Sequence, residues 1–455
     1  MLFFFEDFRG SVLIVTEFEQ VRELVKEYHV KFIRLQFTDI LGALKNVAVT
    51  VEELERALAG QVLFDSAVFE GFRGYCEKDI LLQPDPATFV VFPWRPRDGA
   101  VARLICNALT PRGEAFPGCS RSRLQKVISR FEKDGIRLMA GAEIEFFLFH
   151  SGEQGRPTTI THDQAGFCDL TPVDLGENAR RDMVLTLEEM GIEVASSHHE
   201  MAPGQHEIGL KDDNILVLAD KIATFKFVVR TVAQRHGLHA SFMPKPLNNE
   251  AGSGLKLHLS LWRGETNLFE SSDDPMGLSD TARYFIGGLL HHAGAVTALT
   301  CPLINSYKRF VPSYHSPFLA AWSSTSRNTM IRVPEKQVGD ARITLRSPDP
   351  TVNPYLALAA ILTAGMDGIT NRIAPPPIIT DGECSSGDEL RELARERGLP
   401  RSLAAALDAL EGDTLIKEML GKAIYNRFRE IKENEWERFL SVVHPWELEE
   451  YLRNY

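Results

Sequence analysis

The sequence predicts an α+β protein with more than one domain. The chain has 455 residues, and at about 150 residues per domain this length corresponds to two or three domains. Residues 16–110 show several strand patterns and few helices, whereas the remainder mixes strands with amphipathic helices. Residues 110–120 are dense in proline and glycine. We therefore expect an N-terminal domain at residues 16–112 and a larger domain at residues 113–455 that ends in a helical segment.

The N-terminal elements follow from apolar periodicity. Residues 16–28 have a helical apolar period, with a candidate capping box at Thr16 and Glu19. Alternation of apolar and polar residues predicts strands at residues 31–37, 46–50, 89–92 and 101–105.

The larger domain continues with mixed patterns. Periodicity predicts helices at residues 121–135, 178–191 and 220–237, strands at residues 141–149 and 256–262, and a strand pair around Pro203. A polar loop is expected near residues 152–169, and an apolar helix begins at Asn353 and Pro354. The last quarter is helical in pattern, apart from a disorder-prone patch near residues 380–387.

Composition and charge restrict the functional class. Hydrophobic residues make up 44% and charged residues 25% of the chain, which is typical of a soluble folded protein. The net charge of −12 argues against a nucleic-acid surface and favours a small-molecule or protein partner. The apolar stretch at residues 2–5 is too short for a signal peptide or membrane helix, so we expect a cytoplasmic protein without membrane association. Six scattered cysteines are expected to be reduced.

Two motifs place acidic residues on strands that are predicted to be buried. Glu143 and Glu145 are two residues apart in GAEIEFFLFH, so both carboxylates project from one strand face. Glu200 and Glu207 flank a Pro-Gly turn in SHHEMAPGQHEI and approach each other if that segment folds back. Buried neighbouring carboxylates need a cation, and their oxygens suit magnesium or manganese. The alternative for either motif alone is a set of solvent-facing acids.

The segment AGSGLKLHLS combines a glycine-rich turn with polar strand residues. Gly252 and Gly254 allow close approach of the backbone to a ligand. Lys256, His258 and Ser260 have the same parity and share one strand face, where lysine and histidine suit phosphate oxygens. The alternative is an ordinary turn, and no Walker motif is present because no GK[ST] follows.

Residues 305–346 are unusually rich in arginine. The five guanidinium groups belong to Arg309, Arg327, Arg332, Arg342 and Arg346. In a context of prolines and apolar residues they are typical of clamps for carboxylate and phosphoryl oxygens, although an interfacial ion-pair network is the alternative. Acids for a metal together with arginines for anions favour phosphoryl transfer.

In this order the motifs resemble those of type I glutamine synthetases, from about Thr16 to Tyr455. The matching segments are GAEIEFFLF, SHHEMAPGQHEI, MPKP followed by GSG, NSYKR, SPDPTVNPYLALAAIL and VVHPWELEEYL. The resemblance implies a small β-grasp-like N-terminal lobe and a catalytic lobe built on a curved antiparallel sheet, as in glutamine synthetases and guanido kinases. It also implies a homododecamer of two stacked hexamers, with active sites between adjacent subunits. The implied reaction is phosphorylation of the γ-carboxylate of glutamate by ATP, followed by attack of ammonia or another amine.

The resemblance also implies roles for single residues. Glu145, Glu200 and Glu207 match the carboxylates of the family's first metal site, so we expect one firmly bound Mg²⁺ or Mn²⁺. The remaining matches are Gly252, Arg309 and Arg346 for glutamate, Arg327 for the transferring phosphate, Arg332, His258 and Ser260 for ATP, and Asp65 of a neighbouring subunit for ammonium.

The departures from the family pattern concern the second metal and the amine. That metal site keeps Glu143, but Lys256 stands at its histidine position and Thr344 at its other glutamate position. Lys256 could replace part of the missing charge at ATP by pairing with Glu143. His315 replaces the flap glutamate and is a candidate base toward an amine. The alternative is that His315 only packs in a loop held by Pro312 and Pro317. We therefore expect a weak reaction with ammonia. The alternative is a catalytically silent homologue with a structural or regulatory role.

Overall fold

The computed structural model describes residues 4–6, 12–14, 17–72, 79–96, 98–310, 316–333, 341–380 and 387–455. The strands are β1 Phe4–Glu6, β2 Val12–Ile14, β3 Val30–Thr38, β4 Leu44–Thr50, β5 Val62–Asp65, β6 Asp79–Val91, β7 Ala100–Leu109, β8 Ile136–Ser151, β9 Pro157–Thr161, β10 Val194–His199, β11 Gln205–Asn214, β12 Leu238–Ser241, β13 Leu255–Arg263, β14 Thr266–Asn267, β15 Leu319–Ser323, β16 Thr329–Arg332 and β17 Ile343–Leu345.

The helices alternate with these strands and dominate the C-terminal part. They are α1 Phe18–Glu27, α2 Leu54–Leu58, α3 Ser120–Glu132, α4 Glu177–Glu189, α5 Ile215–Arg235, α6 Asp280–His291, α7 Ala293–Thr300, α8 Pro354–Asn371, α9 Gly387–Arg397, α10 Leu403–Gly412, α11 Thr414–Leu440 and α12 Pro445–Tyr451. Among the described residues, no helix combines the length and the apolar character needed to cross a bilayer.

The N-terminal part is a five-stranded sheet of order β4-β3-β7-β6-β5. Helix α1 packs against β3 and β6 and buries Val21, Leu24 and Val25, which recur at helical spacing. All four strands expected here are present, and those predicted at residues 89–92 and 101–105 belong to the longer strands β6 and β7. Helix α1 has Glu17 as its N-cap without a side-chain hydrogen bond, and Thr16 lies outside the described residues.

The larger part is a ten-stranded sheet with the central order β10-β11-β8-β13-β17-β16-β15. Its central pairs are antiparallel except β15 with β16, which are parallel, so the sheet expected to be antiparallel is mixed at one edge. The loop expected near residues 152–169 contains strand β9, which pairs with β8. Helix α8 is buried over most of its length and begins where predicted. Asn353 is its N-cap, and the Asn353 side chain accepts hydrogen bonds from two backbone N–H groups. Of the predicted disorder-prone patch, residues 381–386 lie outside the described part.

A buried histidine links three of these helices. His292, at the start of α7, lies 2.6 Å from Asp413 and 3.2 Å from Asp367, each through one ring nitrogen. Because carboxylates accept hydrogen bonds, the ring donates from both nitrogens. Burial favours the neutral ring, but the two hydrogen bonds outweigh it and raise the pKa of His292.

We expect the variant His292→Gln to lose more stability in acid than in base. Because its pKa is raised, His292 binds its proton more tightly in the folded state than in the unfolded state, and this difference stabilises the fold. The stabilisation is complete below the unfolded-state pKa, about 6.5 for histidine, and is lost as pH rises through the folded-state pKa. Thermal unfolding at about pH 6 and about pH 9 measures this, with the exposed neighbour His291→Gln as control. Equal losses of Tm at both pH values would contradict the ion pairing.

Candidate active site

A cavity of about 400 Å³ lies over one face of the large sheet. Its walls include residues of β8, β10, β11, β13, β16 and β17, together with the loops beside them. The predicted site residues that line it are Glu143, Glu145, Glu200, Gly252, Lys256, His258, Arg309, Arg327, Arg332 and Arg346. The structure therefore gathers on one face most of the residues that the sequence singled out.

Strand register assembles the acidic half of the cavity. Glu207 on β11 is paired with Glu145 on β8 and, on its other side, with His198 on β10. The chain between β10 and β11 folds back as predicted, because the Glu200 N–H donates to the Gln205 carbonyl oxygen over 2.7 Å. Potential ligand atoms of His198, Glu200 and Glu207 consequently lie within 4.8 Å of one another.

The ammonium group of Lys256 lies among all four carboxylates. Its Nζ atom is 2.5 Å from Glu207, 3.1 Å from Glu143, 3.3 Å from Glu145 and 3.9 Å from Glu200. The expected pair with Glu143 is present, since the two residues are directly opposite on β13 and β8. The sequence did not indicate the other three contacts, which depend on the register between β8 and the hairpin of β10 and β11.

The pKa values show that the carboxylates are only partly compensated. Burial raises the pKa of Glu207 to about 8 and also raises that of Glu145. Although burial opposes it, the hydrogen bond with His258 and the charge of Lys256 lower the pKa of Glu143 to about 2. Burial likewise opposes the charged form of Lys256, but the carboxylates outweigh it and raise its pKa. The cluster therefore stabilises a positive charge at its centre.

The donor set suits one divalent ion, with one condition. Glu145, Glu200 and Glu207 present oxygens of the kind that Mg²⁺ and Mn²⁺ prefer. An ion bound to those oxygens at about 2.1 Å would collide with the ammonium of Lys256, so Lys256 must first leave the cluster. A second ion would have only Glu143 as a carboxylate ligand there, because a protonated Lys256 has no lone pair to offer and Thr344 supplies no carboxylate.

The other half of the cavity is basic. Its walls carry all five predicted arginines, Arg309, Arg327, Arg332, Arg342 and Arg346. Burial, followed by the charge of Arg332, lowers the pKa of Arg346 to about 10. Guanidinium groups that repel one another in a shared cavity favour an anionic ligand such as a carboxylate or a phosphate.

The two predicted glycines permit close packing of their loop on the site. A Cβ atom on Gly252 would lie 2.4 Å from the Pro244 carbonyl oxygen, and one on Gly254 would lie 3.0 Å from an Arg309 nitrogen. The Gly254 N–H donates to a Glu145 carboxylate oxygen over 2.7 Å. Side chains at these positions would displace the loop from Glu145 and Arg309.

Four predicted residues are not found in the cavity wall. One of them is Glu207, whose carboxylate is 2.5 Å from the Nζ atom of the cavity residue Lys256. The Ser260 hydroxyl accepts a hydrogen bond from the Trp262 indole and does not line the cavity. Asp65 is exposed at the end of β5, and its carboxylate accepts from the backbone of Ala67. It does not line the cavity of its own chain. His315 lies outside the described residues.

Sequence reasoning missed Gln205 and Phe167. The Gln205 amide donates to Glu145 and to the Gly252 carbonyl oxygen, 3.2 Å in each case, and so joins the hairpin to the glycine loop. Its parity with Glu207 on β11 is a signal that could have found it. The Phe167 ring packs edge-on against the His198 ring in the cavity wall, and its position in a loop left no periodic signal.

A second group of potential ligands adjoins the hairpin but does not suit a metal. It consists of Asp163, Asp174, His199 and His206. His199 donates from both ring nitrogens, to the Glu200 carbonyl oxygen and to Asp163. Arg180 can only donate, so it occupies the Nδ1 lone pair of His206 and leaves the proton on Nε2. Since neither ring offers a lone pair, this group is a hydrogen-bonded support for the hairpin that carries Glu200.

Comparison with known proteins gives matches over nearly the whole chain. A family model described as the glutamine synthetase catalytic domain matches residues 117–451, and one described as the glutamine synthetase β-grasp domain matches residues 29–111. The chain is 47% identical to a glutamine synthetase of Clostridium saccharobutylicum over 437 residues, covering 96% of this chain and 99% of that protein. It is also 47% identical to a glutamine synthetase of Thermus thermophilus over 440 residues, with the same coverage.

Solved structures show the same architecture. A structure described as a GmaS/ADP complex superimposes with a TM-score of 0.85 at 31% identity, covering 95% of this chain and 99% of that chain. A structure described as apo GmaS without ligand gives a TM-score of 0.83 at 32% identity, with coverage of 94% and 98%.

Proposed function

The chain belongs to the glutamine synthetase family, and from this premise we propose that it is an ATP-dependent ligase that joins the γ-carboxylate of glutamate to ammonia or another amine. The observation that supports the proposal is one cavity that is lined by three glutamates on its acidic half and five arginines on its basic half, with the carboxylate of Glu207 2.5 Å from the cavity residue Lys256. Such a cavity can hold cations and anions side by side, as phosphoryl transfer to a carboxylate requires.

In the proposed reaction an oxygen of the γ-carboxylate attacks the γ-phosphorus of ATP, and the bond from that phosphorus to the β–γ bridging oxygen breaks. The products are γ-glutamyl phosphate and ADP. The amine nitrogen then attacks the acyl carbon, phosphate departs with the electrons of the carbon–oxygen bond, and the nitrogen loses a proton. The chain's contribution is mainly positioning and charge neutralisation.

We assign the cavity residues to these steps from the resemblance and from their placement. Arg309 and Arg346 bind the glutamate substrate, with Gly252 shaping the loop beside it, and Arg327 neutralises the transferring phosphoryl group. The nucleotide contacts are Arg332, His258 and Lys256. One Mg²⁺ or Mn²⁺ would be held by Glu145, Glu200 and Glu207, and when bound it would polarise the γ-carboxylate.

We expect formation of glutamine from ammonia to be weak. A cation missing from the transferring phosphate costs several kcal/mol of transition-state stabilisation, and each ~1.4 kcal/mol is tenfold in rate. The test is glutamate-dependent release of ADP from ATP with ammonia and with a panel of amines, with each product identified by mass spectrometry. Glutamine formation from ammonia at about 10 s⁻¹, an ordinary enzymatic rate, would contradict this expectation.

A catalytically silent homologue is the second candidate. The observation that favours it is the placement of Lys256 among the carboxylates, where it supplies a counter-ion without any bound metal. The same panel separates the two candidates, because a silent homologue gives no glutamate-dependent ADP with any amine.

Assembly and location are further parts of the proposal. We propose a cytoplasmic homododecamer with domains at residues 16–112 and 113–455. The exposure of Asp65 outside its own cavity supports a contribution to the ammonium pocket of a neighbouring subunit. His315 would serve as a base toward an amine.

A further inference from the structure

We propose that the ammonium group of Lys256 and a divalent ion are alternative occupants of the carboxylate cluster Glu143, Glu145, Glu200 and Glu207. Lys256 would then determine how tightly the protein binds metal. The inference rests on the proposed function only in taking these carboxylates as the metal site, and it does not require ligase activity.

The geometry supports competition rather than joint occupancy. The Lys256 Nζ atom is 2.5 Å from Glu207 and 3.3 Å from Glu145, two of the three proposed metal ligands. A metal ion at about 2.1 Å from the same oxygens would occupy nearly the same volume. The β13–β8 register places Lys256 opposite Glu143, so the base of the side chain is fixed while its four-carbon stem can swing the ammonium aside.

Charge explains why the lysine is a strong competitor. Four carboxylates surround one ammonium, and the side chains of Glu145, Glu200 and Glu207 are at most 10% exposed. Carboxylates removed from water need a cation, and here the chain supplies one that cannot diffuse away. A divalent ion brings two positive charges but first displaces one, so its net electrostatic gain is roughly halved.

The fraction of molecules in which Lys256 occupies the cluster determines the apparent affinity for the metal ion. If the ammonium occupies the cluster in about 99% of molecules, the apparent affinity for the ion is about 100-fold weaker than that of the open cluster. A phosphate group bound in the arginine-lined half of the cavity would offer a partner to a displaced ammonium.

The direct test is calorimetric titration of Mn²⁺ into nucleotide-free protein. We expect Lys256→Met to bind one ion about 100-fold more tightly than the wild type. Lys221→Met is the control, because Lys221 is also a lysine in an ion pair, 2.9 Å from Asp213, but lies outside the cavity. Its Mn²⁺ affinity should equal that of the wild type. An affinity of Lys256→Met equal to or below that of the wild type would overturn the inference.

A second measurement does not depend on the folding of the metal-free variant. The Tm of the wild type should be unchanged by EDTA, because Lys256 already compensates the carboxylates. Lys256→Gln, purified with Mn²⁺, should lose several degrees of Tm on chelation and recover them when Mn²⁺ is restored. A wild-type Tm that falls equally on chelation would also overturn the inference.

These outcomes are independent of the ligase assay. Tighter Mn²⁺ binding by Lys256→Met in a protein with no glutamate-dependent ATP turnover would support the inference and reject the ligase. Ligase activity of the wild type, together with an unchanged Mn²⁺ affinity of Lys256→Met, would reject the inference and support the ligase.

Discussion

Replacing Lys256 with histidine and Thr344 with glutamate together is expected to raise glutamate-dependent ATP turnover by about two orders of magnitude. Thr344 on β17 is paired with His258 on β13, and Glu143 is paired with position 256 on the other side of that strand. The introduced imidazole and carboxylate would therefore join Glu143 around one point, the ligand set that the family uses for its second ion. Restored positive charge at the phosphate oxygens lowers the barrier by about 3 kcal/mol, which is a factor of roughly 100.

The control for this variant carries glutamine in place of the introduced glutamate at position 344, which keeps the size of the side chain and removes its charge. Lys256→His combined with Thr344→Gln offers one carboxylate fewer and should not show the gain in turnover of the charged double variant. Calorimetry should find one additional Mn²⁺ in the charged double variant alone. Binding of that additional ion without any gain in turnover would show that the missing metal does not limit the reaction.

Replacing Arg346 with glutamine is expected to lower kcat/KM for glutamate by about 100-fold. Loss of one partner from a desolvated charge pair costs about 2–5 kcal/mol, and Arg346 lies among four other arginines that also favour an anion. The matched control is Arg137→Gln, because Arg137 is an arginine outside the cavity that donates to the Gly264 carbonyl oxygen. Initial rates at varied glutamate measure both variants. An unchanged kcat/KM for Arg346→Gln would remove this residue from the substrate site.

Local patterns predicted much of the fold and the composition of the site. Alternation placed Glu143 and Glu145 on one strand face, and the Pro-Gly turn predicted that Glu200 and Glu207 would meet. Helical period located α1, and the Asn353-Pro354 pair located the start of α8. Each of these inferences uses residues within a few positions of one another, where stereochemistry is decisive.

Features that depend on non-local pairing were not predicted. The contacts of Lys256 with Glu145, Glu200 and Glu207 require the registers of two strand pairs, which no periodicity in the chain reveals. The parallel pairing of β15 with β16 and the pairing of β9 with β8 are also long-range or weakly patterned. The sequence indicated that Lys256 was unusual, and the structure shows that it is the shared counter-ion of four carboxylates.

In the proposed reaction this chain phosphorylates a glutamate carboxylate and then replaces the phosphate with an amine. The most direct measurement uses glutamate labelled with ¹⁸O in the γ-carboxylate, together with ATP and the amine that supports the fastest turnover. Mass spectrometry of the released phosphate should find one ¹⁸O atom for each amide formed, because the attacking carboxylate oxygen departs with the phosphorus. Phosphate without ¹⁸O would mean that ATP is hydrolysed by water and would contradict the proposed reaction.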